Sequence, residues 1–134
     1  KEQESAKRIL ENTIQLIEEC STFYSEVNNI DLYQELMYDT YNNIARIENV
    51  KGDIEGSLSY LKLSLSHVKD WHKNPEKVQD IVQVTIIPEL YMNICNAQMY
   101  LEHQEDALTN ADGAIIYSIF CKKLLEQRLK NREI

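Results

Sequence analysis

The sequence is short of the residues that make turns. Its 134 residues include 3 glycines and 2 prolines, against roughly 9 and 7 at average usage. A β-sandwich or barrel needs a turn every ~8–12 residues, so an all-β fold is excluded and a few long helices are predicted. No apolar run approaches the ~20 residues of a membrane-spanning helix, so we expect no membrane insertion.

Basic residues and cysteines are scarce as well. The chain has 22 acids against 14 bases, a net charge of −8, which repels phosphate backbones and argues against nucleic-acid binding. Cys20, Cys95 and Cys121 are widely spaced and form no CxxC pair, so we expect reduced thiols that serve as small core residues. Because the opening segment also lacks an apolar signal core, the sequence predicts an intracellular, cytoplasmic protein.

The charge is unevenly distributed along the chain. From residue 121 onward five bases stand against two acids, so an acidic body precedes a basic final segment. Basic side chains in a last helical turn interact favourably with the negative end of the helix dipole. We expect that role for them rather than a binding patch.

Apolar residues recur at helical spacing through most of the chain. The stripes predict an orphan helix over 4–27, a helix pair over 30–72 and a second pair over 76–130. The connections are short, so neighbouring helices should run antiparallel. The predicted fold class is therefore all-α, with about five long helices.

Three residues mark where predicted helices end, begin or are interrupted. Gly52 stands where the glycine after a helix C-terminus belongs, and Asp53 can cap the helix that follows. Pro88 interrupts the fourth apolar stripe. An interior proline removes a backbone hydrogen bond, so we expect a kink near residues 84–88, with a break as the alternative.

The two predicted pairs repeat at an offset of 50 residues. The segment YNNIA at 41–45 aligns with YMNIC at 91–95, and small residues recur in phase through the second helix of each pair and the orphan helix. Helices that cross ridge-into-groove approach closely only where side chains are small, so these positions are expected at helix contacts. The small residues are Ala6, Thr13, Ser57, Ser64, Ala107 and Ala114.

With this pattern the chain resembles the tetratricopeptide repeat family, in which an aromatic, a large aliphatic and a small residue mark the first helix and small residues mark the second. The residues that carry the resemblance are Tyr41, Ile44, Ala45, Ser57, Leu61 and Ser64 in one pair and Tyr91, Ile94, Cys95, Ala107, Ala111 and Ala114 in the other. The period of 50 exceeds the family's ~34 residues. The resemblance implies an antiparallel helix-turn-helix α-solenoid with lengthened helices.

The chain departs from the family pattern at several positions. Glu48 and Gln98 stand where the family usually has an aromatic, and Ala111 replaces a large residue. Glu102 replaces the turn glycine. The repeat is therefore degenerate in its buried positions and in its second turn.

The resemblance also implies a binding surface. In such proteins the first helices of successive pairs line a concave groove that holds an extended or helical peptide. Carried over position by position, the groove-facing residues are Asp39, Asn42, Asn43, Arg46 and Asn49 on one helix and Glu89, Met92, Asn93, Asn96 and Tyr100 on the next. Asn43 and Asn93 occupy equivalent places, where an amide can pair with both a C=O and an N–H of a peptide backbone.

The charge of this surface narrows the kind of partner. Family members that grip a C-terminal carboxylate use several lysines or arginines on this face, whereas Arg46 is the one base among the ten residues. We therefore expect a protein or peptide partner recognised through amides, aromatic area and basic residues.

Signatures of catalysis are missing from the sequence. It has no Gly-rich phosphate loop, no GxSxG and no HExxH, so we expect neither an enzyme nor a cofactor. His67 and Trp71 lie four residues apart on one predicted helix, which suits an aromatic binding ledge or, as we favour, the packing of a helix end. His67, Asp70 and His72 lack a recurring metal-ligand signature, so no metal site is predicted.

The sequence predicts a non-catalytic scaffold that binds a polypeptide through the groove or the edges of its repeats. The alternative is a structural segment of a large cytoskeletal or ciliary assembly without a dedicated peptide groove. A stable stack normally needs at least ~three repeats. We therefore expect residues 1–134 to form a single repeat domain within a longer solenoid, in contact with further repeats of its own chain or a multiprotein assembly.

Overall fold

A computed structural model of the chain describes residues 2–21, 30–68 and 85–131. Of these residues 92% are helical, and none lies in a strand. The helices are α1 (Glu2–Glu19), α2 (Ile30–Lys51), α3 (Ile54–Val68), α4 (Ile86–Tyr100) and α5 (Gln104–Lys130). The predicted fold class is confirmed: the described residues are all-α, and the contacts among their five helices fit antiparallel neighbours.

The chain divides into two compact units, Lys1–Val68 and Lys69–Ile134. In the first unit α1 packs on α2 and α2 packs on α3, and in the second unit α4 packs on α5. The predicted pair over 30–72 corresponds to α2 and α3, and the pair over 76–130 corresponds to α4 and α5. Parts of both predicted ranges fall in 69–84, outside the described residues.

The first helix ends earlier than predicted. α1 stops at Glu19 and a turn follows at Cys20, whereas the apolar stripe predicted helix to residue 27; residues 22–29 lie outside the described residues. Cys20 is exposed rather than buried, and Cys95 and Cys121 are partly buried, so the expectation of three core cysteines is wrong for Cys20. The side chains that join α1 to α2 are Ile14, Ile17, Met37 and Ile44, with Leu10, Tyr33, Leu36, Tyr41 and Tyr60 packed around them.

Small residues lie at the contact between the helices of each pair, as the repeat predicts. Ser57 and Ser64 of α3 are 5% and 0% exposed, and their hydroxyls donate to the α2 carbonyl oxygens of Ala45 (2.9 Å) and Tyr38 (2.8 Å). In the second unit Ala107 and Ala114 are buried as well. A side chain larger than these would hold the paired helices apart.

Both turns between paired helices have the same backbone geometry. Gly52 has φ +87°, and its N–H donates to the carbonyl of Asn49 (3.0 Å) while Asp53 N–H donates to that of Glu48 (2.9 Å). This is the left-handed C-terminal cap expected of a glycine. Asp53 also caps α3, because its Oδ1 accepts from Gly56 N–H at 2.9 Å, a bond that lowers the pKa of the Asp53 carboxyl.

The second turn repeats the first without a glycine. Glu102 adopts φ +64°, and its N–H donates to the carbonyl of Met99 (3.1 Å) while His103 N–H donates to that of Gln98 (2.8 Å). His103 makes no side-chain cap to α5. The surrounding contacts therefore hold a residue with a Cβ in a conformation that costs it roughly 1–2 kcal/mol.

Pro88 lies in the first turn of α4 rather than in a helix interior. The helix begins at Ile86, so Pro88 is its third residue. The N–H groups of a first turn have no intrahelical acceptor, so the ring removes no hydrogen bond there. The stretch 76–84, which the prediction included in the same helix, is not among the described residues.

Glu48 and Gln98, which lie 50 residues apart at equivalent places of the two pairs, are both buried and both paired. The carboxylate of Glu48, 2% exposed as a residue, accepts from Lys7 Nζ of α1 at 2.9 Å and lies 3.5 Å from Lys51 Nζ. Lys51 also pairs with Glu4 of α1. The Glu48 carboxylate raises the pKa of Lys7 through its hydrogen bond. This charge cluster joins α1 to the end of α2.

In the second unit the equivalent residue is neutral. Gln98 is 2% exposed, and its Oε1 accepts from Asn110 Nδ2 of α5 at 2.8 Å. Because its partner is an amide rather than an ammonium, the position keeps a buried hydrogen bond without a buried charge. Across the parts of the chain that the structure describes, no helix is both long and apolar enough to cross a membrane.

Substitutions at the two turns should have opposite effects on the free energy of unfolding. Glu102→Gly should raise the free energy of unfolding by about 0.5–1 kcal/mol, because glycine adopts positive φ without the Cβ clash. Gly52→Ala should lower it by about 1 kcal/mol, through backbone conformation alone since no atom lies within 4 Å of the added Cβ. Urea unfolding measures both. Glu102→Ala is the control, and an equal gain from alanine would show that the carboxylate, not the φ angle, causes the strain.

The buried carboxylate predicts that Lys7 stabilises the first unit. Lys7→Met should lower the free energy of unfolding by about 1–3 kcal/mol, because Glu48 loses its closest counter-charge. Glu48→Gln in the same chain should recover part of that loss, which a double-mutant cycle in urea measures. Lys62→Met, at an exposed lysine of α3, is the control, and a loss equal to it would mean that the Lys7 pair contributes nothing.

Candidate functional site

The predicted groove residues of the first unit form one stripe along α2. Arg46, Asn49 and Asp39 are exposed, and Asn42 and Asn43 are half-buried. At helical spacing these positions share one face, opposite the face whose side chains are buried against α1 and α3. The buried residues of that opposite face are Met37, Thr40, Ile44, Ala45 and Glu48.

The predicted residues of the second unit form the equivalent stripe along α4. Met92 is 46% exposed and Tyr100 73% exposed, and Glu89, Asn93 and Asn96 are exposed as well. The buried face of α4 lies opposite and is formed by Ile87, Leu90, Ile94 and Gln98. Met99, 55% exposed, borders the stripe and was not among the predicted residues. The offset of 50 would have found it, because Met99 is the equivalent of Asn49 in the first stripe.

The two stripes share a chemical pattern at the offset of 50. Asp39 and Glu89 place a carboxylate in the stripe, and Asn43 and Asn93 follow it by four residues, one helical turn further along the same face. Within the part of the chain that the structure describes, none of the ten predicted side chains makes a hydrogen bond or an ion pair. Their amides and carboxylates are therefore open to a ligand.

The first unit also holds a cluster of aromatic rings between α2 and α3. His67 of α3 stacks on Tyr41 of α2, with ring centroids 5.8 Å apart and 18° between the planes, and meets Tyr33 edge-on at 6.1 Å. Its Nδ1 lies 2.5 Å from Gln34 Oε1, and since that oxygen only accepts, Nδ1 carries the proton. Tyr60 also stacks on Tyr41, with ring centroids 6.1 Å apart.

The same stack recurs in the second unit. Tyr91 of α4 stacks on Tyr117 of α5 with centroids 5.3 Å apart, and Tyr91 and Tyr117 follow Tyr41 and His67 by 50 residues each. Tyr91 also lies so close to Gly113 that an added Cβ would come within 2.9 Å of the ring. The equivalence of Tyr41 and Tyr91 was predicted from the repeat, whereas that of His67 and Tyr117 was not, although the same offset of 50 joins them.

His67 therefore packs between helices, in line with the packing role favoured over a ligand-binding ledge. Burial lowers the pKa of its imidazole, while the charge of Glu18 opposes that shift. Trp71, Asp70 and His72 lie outside the described residues. Among the residues that are described, no group of three or more His, Cys, Asp or Glu side chains could hold a metal ion.

Comparisons with protein-family models, with curated proteins and with solved structures found no match to this chain. The candidate site is therefore defined by its own geometry: two equivalent exposed stripes on α2 and α4, each on the helix face opposite the buried one.

The His67 stack predicts that stability falls in mild acid. Burial lowers the folded-state pKa of His67, so the unfolded chain binds the proton first and folding free energy is lost as the pH drops below about 6.5. His67→Phe keeps a stacking ring but cannot titrate, so its free energy of unfolding should change less between about pH 7.5 and 5.5. Urea titrations at each pH measure the difference.

The matched control for this prediction is His103→Phe, which makes the same replacement of an imidazole by a phenyl ring at an exposed position of the second unit. It should leave the pH dependence of the natural chain unchanged. If His67→Phe and the natural chain lose stability in parallel as the pH falls, the His67 imidazole does not govern the acid response.

Proposed function

We propose that this chain is a non-catalytic protein-interaction module of tetratricopeptide-like repeats that binds a polypeptide through the exposed stripe of each helix pair, on α2 in the first unit and on α4 in the second. The observation that carries the proposal is the recurrence of a carboxylate and an amide one helical turn apart, at Asp39 and Asn43 and again at Glu89 and Asn93. A repeated pair of polar groups on a repeated surface suits a ligand that is itself a chain with a repeating backbone.

The chemistry of the stripes specifies the kind of polypeptide. Asp39 and Glu89 favour lysine or arginine side chains in the partner, and Arg46 is the single base among the ten residues. The amides of Asn43 and Asn93 can each accept from a backbone N–H and donate to a backbone C=O. Met92 and Tyr100, both substantially exposed, offer apolar area for one anchoring side chain.

Support for repeats of this kind comes from inside the chain. The two helix pairs share their turn geometry, their buried small residues and their ring stacks at one offset. We expect the module to operate as part of a larger protein or assembly, with an intracellular setting inferred from the sequence. The alternative function, a structural segment without a peptide groove, predicts that the stripes bind no peptide.

The proposal is tested with a displayed library of random 16-residue peptides selected on the purified chain. Selected peptides should be rich in lysine or arginine and carry an apolar residue. Asn43→Ala and Asn93→Ala should each weaken binding about fivefold, since each loses about 1 kcal/mol of amide pairing. Fluorescence anisotropy of one labelled peptide measures the affinity.

Asn12→Ala, at an exposed amide of α1, is the matched control and should leave the affinity unchanged. Circular dichroism checks that each variant keeps its helices. Peptides whose affinity survives both Asn43→Ala and Asn93→Ala would place the binding surface elsewhere, and a selection that yields no peptide would favour the structural alternative.

A further inference from the structure

Helix α5 is apolar on two separate faces. One face packs on α4 and buries Ala107, Ala114 and Leu124. The outer face of α5, which we define by Leu108, Ile115 and Ile119, is rotated from the buried face by about 100–140°. These three side chains are exposed by 66%, 58% and 50%, and Ile116, 64% exposed, borders them. A helix with a second apolar face is typical of one that protein covers on more than one side.

The equivalent positions in the first unit are covered. Leu58 and Leu65 precede Leu108 and Ile115 by 50 residues; Leu58 is 7% exposed and Leu65 is half-buried. The repeat thus uses this face for packing, and in α5 the same face presents its aliphatic side chains to solvent. Burying an exposed aliphatic side chain is favourable by roughly 25 cal/mol per Å² of apolar surface.

Four charged residues along one border of the outer face are arranged symmetrically, with acids before a central point of α5 and bases after it. Glu105 and Asp112 lie seven residues apart, Lys123 and Lys130 lie seven residues apart, and all four are exposed on the same side of α5. The two acids and the two bases are equally distant from a point between Tyr117 and Ser118. If a second copy of α5 is placed antiparallel to the first, each acid of this border therefore lies opposite a base of the other copy.

We propose that the outer face of α5 is a self-association surface, on which a second copy of this chain docks with its own α5 antiparallel. A twofold axis at this central point sets Asp112 beside the partner's Lys123 and Glu105 beside the partner's Lys130. Ile115 and Ile119 then meet their counterparts at the centre of the contact. Both copies use the same patch, which gives a closed dimer.

The charge order selects this arrangement over others. In a parallel pair the twofold axis runs along the helices and sets the two charged borders on opposite sides of the contact, where these four charges cannot pair. In the antiparallel pair the two borders lie side by side, with acids next to bases. Lys122 and Glu126, the remaining charges near the outer face, already lie 4.0 Å apart within α5. The surface goes beyond the proposed function, because it shares no residue with the stripes on α2 and α4.

Sedimentation equilibrium of the 134-residue chain over a range of concentrations tests the proposal. The natural chain should show a monomer–dimer equilibrium that weakens as salt rises, because exposed charge pairs are screened. Asp112→Lys alone and Lys123→Asp alone should each raise the dissociation constant about tenfold, since the twofold axis converts two attractive pairs into repulsive ones. The double variant should return close to the natural value.

Glu11→Lys makes the same change of charge on an exposed residue of α1 and should leave the dimer intact. Ile119→Gln should abolish association, and circular dichroism confirms that each chain stays folded. A chain that is monomeric at every concentration overturns the proposal and leaves the face to a different partner. Association that ignores both charge reversals, or that the double variant fails to restore, also overturns it.

Discussion

The close approach of two helices at small buried residues is the constraint on which each unit depends. Ser57 and Ser64 in the first unit, and Ala107 and Ala114 in the second, leave room for the partner helix where their faces cross. The serine hydroxyls also donate to backbone carbonyl oxygens of α2, so no polar group is buried without a partner there. This contact fixes how the two helices of a pair lie on each other. The turn that joins them, the stack of rings between them and the face of the first helix that stays exposed all depend on that arrangement.

The contact between paired helices leaves one buried polar residue at the same place in both units, and each unit satisfies it differently. Glu48 takes one counter-charge from Lys7 of α1, which ties a third helix to the pair, and a second from Lys51 of its own helix, whereas Gln98 takes an amide from α5 within the pair. A buried carboxylate is costly unless cations surround it, so the shorter contact, which α1 supplies, stabilises Glu48 where it lies. Gln98 carries no charge to be balanced.

Helix types, the repeat and the turn at Gly52 could be predicted from the sequence, because hydrophobic periodicity and turn chemistry are local properties. The early end of α1 and the exposure of Cys20 could not, since the apolar spacing runs through this point of the sequence without a glycine or proline to mark a helix end. Lys7, which pairs with Glu48, and Gln34, which pairs with His67, each lie on another helix and far away in the sequence, and such pairings depend on the assembled fold. For the candidate site, the sequence predicted which residues share an exposed face; the ligand chemistry remains a proposal.

Glu102 shows that this turn does not require a glycine. Its left-handed backbone is imposed by hydrogen bonds on either side of the turn and by the helices that the turn joins, not by the residue itself. A residue other than glycine there costs a small part of the folding energy and leaves the shape in place. The small residues at the helix contact have no such freedom, because a larger side chain would hold the two helices apart. The size of a few buried side chains, more than the chemistry of the turn, therefore decides which sequences can form this helix pair.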